Sequence, residues 1–190
     1  MGNKKIVFVH GYTSSPNKTK YRIIAAEFDK LGIEYSIPAM PGNEHPHSEE
    51  WLEIIDKEVK NSNKPVVLVG HSLGTRAILL YLDKFEQKID TVILFASFNN
   101  DIEGNRNRRD GNYVDFWEYK LDIDKIKNLV DKFIVIHSKD DDSINYQQAV
   151  DISRELGAKL ITYENMLHFG GEERAEEYAK IFLEIIKSTL

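Results

Sequence analysis

Apolar positions along the chain fall into short continuous runs separated by longer stretches in which apolar and polar residues alternate with a helical period. Lys5–Val9 (KIVFV), Pro65–Val69 (PVVLV), Thr91–Phe95 (TVILF) and Phe133–Ile136 (FIVI) are mostly β-branched or aromatic and carry no internal polar face. That is the pattern of strands buried on both sides. Ile33–Ile37 and Lys159–Tyr163 read as two further strands, the first broken off by Pro38 and Pro41-Gly42. Between them, Tyr21, Ile24, Phe28 and Leu31 recur at helical spacing, with Gly32 as a stop. Trp51, Leu52, Ile55 and Val59 form the inner face of a second helix, which Ser48 is suited to cap and whose Glu49 and Glu50 suit its N-terminal dipole. Further helices are predicted from about Gly74 to Phe85, at Asp124–Val130, at Tyr146–Leu156 closed by Gly157, and at Glu172–Ile186. Residues 96–120 follow neither period.

Strand and helix therefore alternate through the chain, which predicts a parallel sheet with helices on both faces. The expected strand order is 2-1-3-4-5-6. It puts a topological switch point between strands one and three, and ligands bind beyond the carboxyl ends of the strands at such a point. A chain of 190 residues buries roughly 70% of its unfolded surface, enough for one core and too little for two, so residues 1–190 read as a single domain.

Composition narrows the function classes. The net charge is −6, which argues against a nucleic-acid partner, since that needs a basic face. No apolar run approaches the ~18 residues of a membrane span. The opening Met1-Gly2-Asn3-Lys4-Lys5-Ile6 has no signal-peptide core, and Ile6 stands where myristoylation wants Ser or Thr. A soluble, cytoplasmic protein without a membrane partner is expected. The chain has no cysteine, which removes disulfides, Cys-ligated zinc, iron–sulfur clusters and a Cys nucleophile.

Gly70-His71-Ser72-Leu73-Gly74 matches G-x-S-x-G. By composition alone such a match arises in about one chain in twenty of this length. Here it follows a predicted buried strand and opens into a predicted helix, the setting of a nucleophile elbow. A serine at so tight an apex has strained backbone, and side chains at positions 70 and 74 would collide with the neighbouring strand and helix. A serine hydroxyl needs a base and an orienting acid, which in this architecture follow in the order Ser, acid, His. Of the six histidines only His168 follows the best acid candidates, Asp140-Asp141-Asp142, which lie just past the fifth strand. Spacing alone does not choose among the three. An oxyanion hole needs two backbone N–H groups. Leu73, the residue after the serine, supplies one, and the loop His10-Gly11-Tyr12-Thr13 after the first strand supplies the other.

With those residues in view, the chain resembles an α/β-hydrolase of the retinoblastoma-binding protein 9-like serine hydrolase family. The likeness runs through VFVHGYTSS, SEEWLEIIDKEV, VVLVGHSLGTRAILLYL, WEYKLDIDKIK, FIVIHSKDDDSINYQQAV and LHFGGEERAEEY. It implies a compact hydrolase core without a large cap. The family pattern D-x-x-[VIL]-P falls on Asp141-Asp142-Ser143-Ile144, so the resemblance implies Asp141 as the acid, with Asn145 in place of the proline. It implies Tyr12 as the oxyanion residue, with Thr13 next to it. Where the family has Gly-His-Phe, this chain has Leu167-His168-Phe169. The L-x-C-x-E motif behind the family name needs a cysteine, so the retinoblastoma protein is not an expected partner. The activity implied is hydrolysis of small carboxylic esters or related acyl substrates through Ser72, His168 and Asp141, with a small-molecule acyl substrate and no cofactor. Acyl transfer or aminopeptidase-type chemistry would use the same elbow, and a catalytically idle binding module would keep only the fold.

Other residues carry weaker signals. Arg106, Arg108 and Arg109 read as a solvated loop, or as receivers of an anionic substrate. Phe116, Trp117 and Tyr119 are candidates for a pocket wall or for core packing. His45-Pro46-His47 is a poor metal site, having no carboxylate at a ligand spacing.

Overall fold

Every residue of β1 (Lys5–Val9) and of β3 (Val66–His71) is buried, and a strand buried on both faces must lie inside a sheet covered on both sides. The computed structural model, which describes residues 3–98 and 113–190, has that arrangement. The remaining strands are β2 (Glu34–Ser36), β4 (Ile89–Phe95), β5 (Val130–Ser138) and β6 (Lys159–Tyr163). The helices are α1 (Thr19–Leu31), α2 (Ser48–Lys60), α3 (Leu73–Phe85), α4 (Ile123–Lys127), α5 (Tyr146–Leu156) and α6 (Ala175–Lys187). The sheet order is β2-β1-β3-β4-β5-β6 and every pairing is parallel. The sequence-based order and class are thus those of the structure.

The two-residue period of the strands sorts the core into two layers. Val7, Val9, Leu68, Val92, Leu94 and Val135 face α2, α3 and α5. Ile6, Phe8, Val67, Ile93, Phe95 and Ile136 face α1 and α6. The second layer is tied by aromatic contacts: Phe182 of α6 stacks on Phe95 at 3.8 Å between ring centroids and on Phe8 at 5.5 Å.

Gly32 and Gly157 end α1 and α5 in the left-handed region, at φ 63° and 65°, as the sequence predicts. Most strand and helix ends shift by one to three residues from the sequence reading, and the helix expected at Asp124–Val130 is Ile123–Lys127, because Val130 already belongs to the next strand. β5 begins at Val130, not Phe133, because Val130 and Lys132 extend the ladder against Ile89 and Thr91. Ser48 is not the cap of α2; the cap position is His47, and Ser48 N–H donates to the Asp115 carboxylate at 2.7 Å. The capping acceptor comes from a distant segment, which no local pattern reveals. Among the described residues no helix is long and apolar enough to cross a membrane.

Truncating Phe182 removes a fully buried ring that packs from α6 onto Phe8 of β1 and Phe95 of β4. Phe182→Ala should lower unfolding free energy by about 3–5 kcal/mol in chemical denaturation, whereas Val114→Ser, at an exposed position, should change it by about 0.5 kcal/mol or less.

Candidate active site

β3 ends at His71 and α3 starts at Leu73, so Ser72 alone makes the turn, with φ 55° and ψ −123°. That conformation costs on the order of 1–3 kcal/mol in a non-glycine residue and persists only where its surroundings impose it. They do so by close approach. A Cβ on Gly74 would lie 2.2 Å from the Val9 carbonyl oxygen, and one on Gly70 would lie 2.9 Å from Thr75 backbone atoms. The turn is then held by backbone bonds. Ser72 N–H donates to Phe95 O at 3.0 Å, and Thr75 N–H donates to Ser72 O at 2.8 Å.

His168 Nε2 lies 2.9 Å from Ser72 Oγ. Its Nδ1 lies 2.8 Å from Asp141 Oδ2 and 3.1 Å from Oδ1. Of the three consecutive aspartates, Asp141 is the one that touches His168. Its side chain is fully buried, and Oδ1 also accepts from Ser143 N–H and Ile144 N–H, each at 2.9 Å. A buried carboxylate needs such donors to offset lost hydration. His137, behind it, donates Nε2–H to Ile144 O at 3.0 Å, and burial keeps its ring neutral by lowering its pKa. Asp142 accepts from the Ser143 hydroxyl at 3.2 Å.

Asp140 has a different task, which the sequence did not reveal. Its Oδ1 accepts from Met166 N–H and Leu167 N–H, both at 3.2 Å, and from the Ser138 hydroxyl. The Ser138 bond, followed by those backbone donors, holds its carboxyl below the usual range. It thereby ties the loop after β5 to the loop that carries His168. Leu167 and Phe169 flank His168 at φ 47° and 52°. A glycine would take such a conformation freely; leucine takes it under strain, and the Asp140 anchor restrains it. On the other side, Lys20 Nζ donates to Phe169 O at 2.7 Å, and His71 Nε2–H donates to His168 O at 2.8 Å. The other departure from the expected pattern is benign. Asn145 has φ −59°, a value proline would share, and its side chain caps α5 by accepting from Gln147 N–H at 2.8 Å.

Ser72 and His168 open into a cavity of about 270 Å³ beyond the carboxyl ends of β1 and β3. Tyr12, Leu73, Phe98, Tyr113 and Ile144 supply its apolar lining. Leu73 opens α3, so its N–H is one of the helix donors without an intrahelical acceptor. Tyr12 and Thr13 both line the cavity; the Tyr12 hydroxyl donates to Glu44 O at 2.8 Å and its ring packs edge-on against Tyr113.

The family model described as serine hydrolase matches residues 6–185. The chain belongs to the serine hydrolase family. Among curated relatives, YdeN of Bacillus subtilis (strain 168) is 24% identical over 172 residues, 90% of this chain and 88% of that protein. The crystal structure of the ydeN gene product superposes with a TM-score of 0.84 at 23% identity, covering 98% of both chains. Est1E from Butyrivibrio proteoclasticus superposes at 0.72 with 16% identity, over 98% of this chain and 88% of that one. A monoacylglycerol lipase from Paleococcus ferrophilus does so at 0.67 with 15% identity, over 98% and 95%. At these identities the structural likenesses establish the α/β-hydrolase fold.

In this serine hydrolase none of the three aromatic residues Phe116, Trp117 and Tyr119 lines the cavity around Ser72. Phe116 is buried against Trp51, Trp117 packs on Phe98 and under the Arg76 guanidinium, and Tyr119 is exposed. Arg76 fixes this segment by donating to Phe116 O at 2.8 Å and Tyr119 O at 2.7 Å. His47 is exposed, with Nδ1 3.8 Å from Asp115. Arg106, Arg108 and Arg109 lie outside the described residues.

The elbow and the buried imidazoles each carry a test. Gly74→Ala should destabilise by about 3 kcal/mol in thermal unfolding. Gly170→Ala, whose Cβ would meet nothing closer than 4.0 Å, should be nearly neutral. His10, His71 and His137 are all held neutral chiefly by burial, with pKa values below the ordinary 6.5. Below that value the unfolded chain binds more protons, so stability should fall as pH drops from about 7 to about 5. His71→Phe, measured by denaturation across this range, should flatten the slope.

Proposed function

We propose that the protein hydrolyses small carboxylic esters and related acyl substrates through a covalent acyl-enzyme on Ser72. The observation that carries this reading is the unbroken line from Ser72 Oγ to His168 Nε2 and from His168 Nδ1 to the buried carboxylate of Asp141. Asp141 fixes the tautomer with the proton on Nδ1 and leaves Nε2 as the base. Nε2 takes the hydroxyl proton as Oγ attacks the ester carbonyl. The charge that develops on the carbonyl oxygen is received by the N–H groups of Leu73 and Tyr12, with Thr13 next in the same loop. The tetrahedral intermediate collapses as His168 returns the proton to the departing alcohol. Water then enters, His168 takes its proton, and the same steps in reverse order release the carboxylic acid and restore Ser72. The scheme draws every proton and electron pair from these residues, the substrate and water, without a cofactor.

The cavity volume supports small substrates, since about 270 Å³ lies just below the range of ordinary ligand pockets. The esterase-type and lipase-type neighbours are consistent with acyl chemistry. Within the serine hydrolases, the motifs around Ser72, Asp141 and His168 support placing the chain with the retinoblastoma-binding protein 9-like members. A soluble, cytoplasmic protein remains the reading of its sequence.

Covalent labelling tests the assignment. A fluorophosphonate should add once, on Ser72 by peptide mapping, and not at all to folded Ser72→Ala protein. Asp141→Asn should keep the fold and lose kcat by a factor on the order of 10⁴. Labelling elsewhere, or turnover in Ser72→Ala comparable to wild type, would sink the proposal.

A further inference from the structure

The cavity lining is of two kinds. Beside the apolar residues stand Ser14, Lys18, Lys20 and Glu172, contributed by the β1–α1 connection, the start of α1 and the loop before α6. Two cations and one carboxylate leave this region net positive. Glu172 is already engaged: Oε1 lies 3.7 Å from Lys18 Nζ, and Oε2 accepts from Thr19 N–H at 3.4 Å.

Lys20 is the unusual member. The residue is 7% exposed, and among the described residues no Asp or Glu lies within ion-pair distance of its ammonium. Nζ spends one donor on Phe169 O and lies 5.1 and 5.2 Å from the ring centroids of Tyr21 and Phe182. A lysine has three N–H donors. Burying an ammonium without a counter-charge is costly, and holding one backbone carbonyl would not need a full charge. What distinguishes this site from a core position is that Lys20 lines the same cavity as Ser72.

We propose that the cavity contains a carboxylate-binding subsite built on Lys20, with Lys18 at its edge, and that the preferred substrates are esters bearing a carboxylate. The subsite deepens the hydrolase reading where it names substrates, but anion binding itself does not depend on that reading. A carboxylate would supply a counter-charge in direct contact, which Glu172 does not, and accept the donors that Phe169 leaves over. Burial and Lys18 push the Lys20 pKa down to about 7, while Glu172 pulls it up. His10 and His71 also face it, both held neutral by burial. A bound anion favours the protonated amine, so anion affinity should fall as pH rises through this region, with proton uptake on binding.

Two measurements test the subsite. In the first, glutarate is titrated calorimetrically into Ser72→Ala protein in two buffers of different ionisation heat. Binding with proton uptake is expected, weakened about tenfold or more by Lys20→Met. In the second, kcat/KM is compared within two pairs of esters: monoethyl glutarate with ethyl hexanoate, and 3-acetoxybenzoate with phenyl acetate. The charged member of at least one pair should be favoured about tenfold, which also tells whether the carboxylate belongs to the acyl or the leaving side. Lys20→Met should erase the ratio, whereas mere loss of support at Phe169 would lower both members alike. If that variant does not fold, Lys18→Gln and the decline of the wild-type ratio with rising pH serve in its place. Equal kcat/KM within both pairs, with no glutarate binding, overturns the subsite; Ser72 labelling that persists then leaves the hydrolase reading intact. If neither labelling nor turnover occurs, the glutarate titration decides alone.

Discussion

The close crossing of α3 over the end of β1 is the constraint on which the site depends. Gly74 sits so near the Val9 carbonyl that no side chain fits between them. This contact fixes where α3 begins, and with it the positive φ of Ser72. Parallel pairing of β1 with β3 brings the two segments together in the first place, Val9 lying opposite Gly70. The strain at Ser72 is therefore not a local matter. It is sustained by a sheet in which β1 and β3 are buried throughout, and the same adjacency brings the loop after β1 beside the serine. The start of α3 and that loop both face the cavity because the strand order reverses there.

The histidine is held by a different principle. His168 stands on a loop, where nothing in the sheet ladder fixes it, and its position comes from hydrogen bonds to the backbone on either side of it. Asp140 takes the two N–H groups before it, His71 takes its own carbonyl, and Lys20 takes the carbonyl after it. These anchors come from three separate elements. Asp141 is then aligned by the turn of which it is part, through Ser143 and Ile144. The electrostatic arrangement is economical in charge: the imidazoles near the site are kept neutral by burial, so Asp141 acts on His168 without competition from a second buried cation on His137.

What could be read in the sequence follows from this division. The strand runs, the glycines of the elbow and the stops at Gly32 and Gly157 are local patterns with direct steric meaning, and the alternation of strand and helix points to the parallel sheet. His168 could be reached by chain order. Asp141 could not be separated from its neighbours by spacing, because the distinction lies in which carboxylate turns inward, and only the resemblance chose it. The Asp115 acceptor at the start of α2, the Asp140 anchor and the buried Lys20 left no local signal. Each is a polar residue whose partner lies 26 to 149 positions away in the chain. Lys20 in particular sits one position before Tyr21 on the buried side of α1 and reads, by composition, as an ordinary charged residue near a helix start.

The two departures from the expected pattern around the acid and the histidine bear on whether the site is intact. Asn145 keeps the backbone angle that proline would impose and adds a cap to α5, so the turn that presents Asp141 is held by other means. Leu167 pays a conformational cost that glycine would avoid. That cost is opposed by the Asp140 acceptor on its N–H and by the burial of Phe169 among Phe95, Tyr163 and Phe182. A loop retained in a strained form, with its imidazole 2.9 Å from a serine that is itself strained, is hard to account for as a relic. Strain in a disused site would be relieved by the first permissive substitution. Here it is countered by the Asp140 carboxylate, which the loop after β5 turns toward the histidine loop, and this weighs against a fold kept solely for binding.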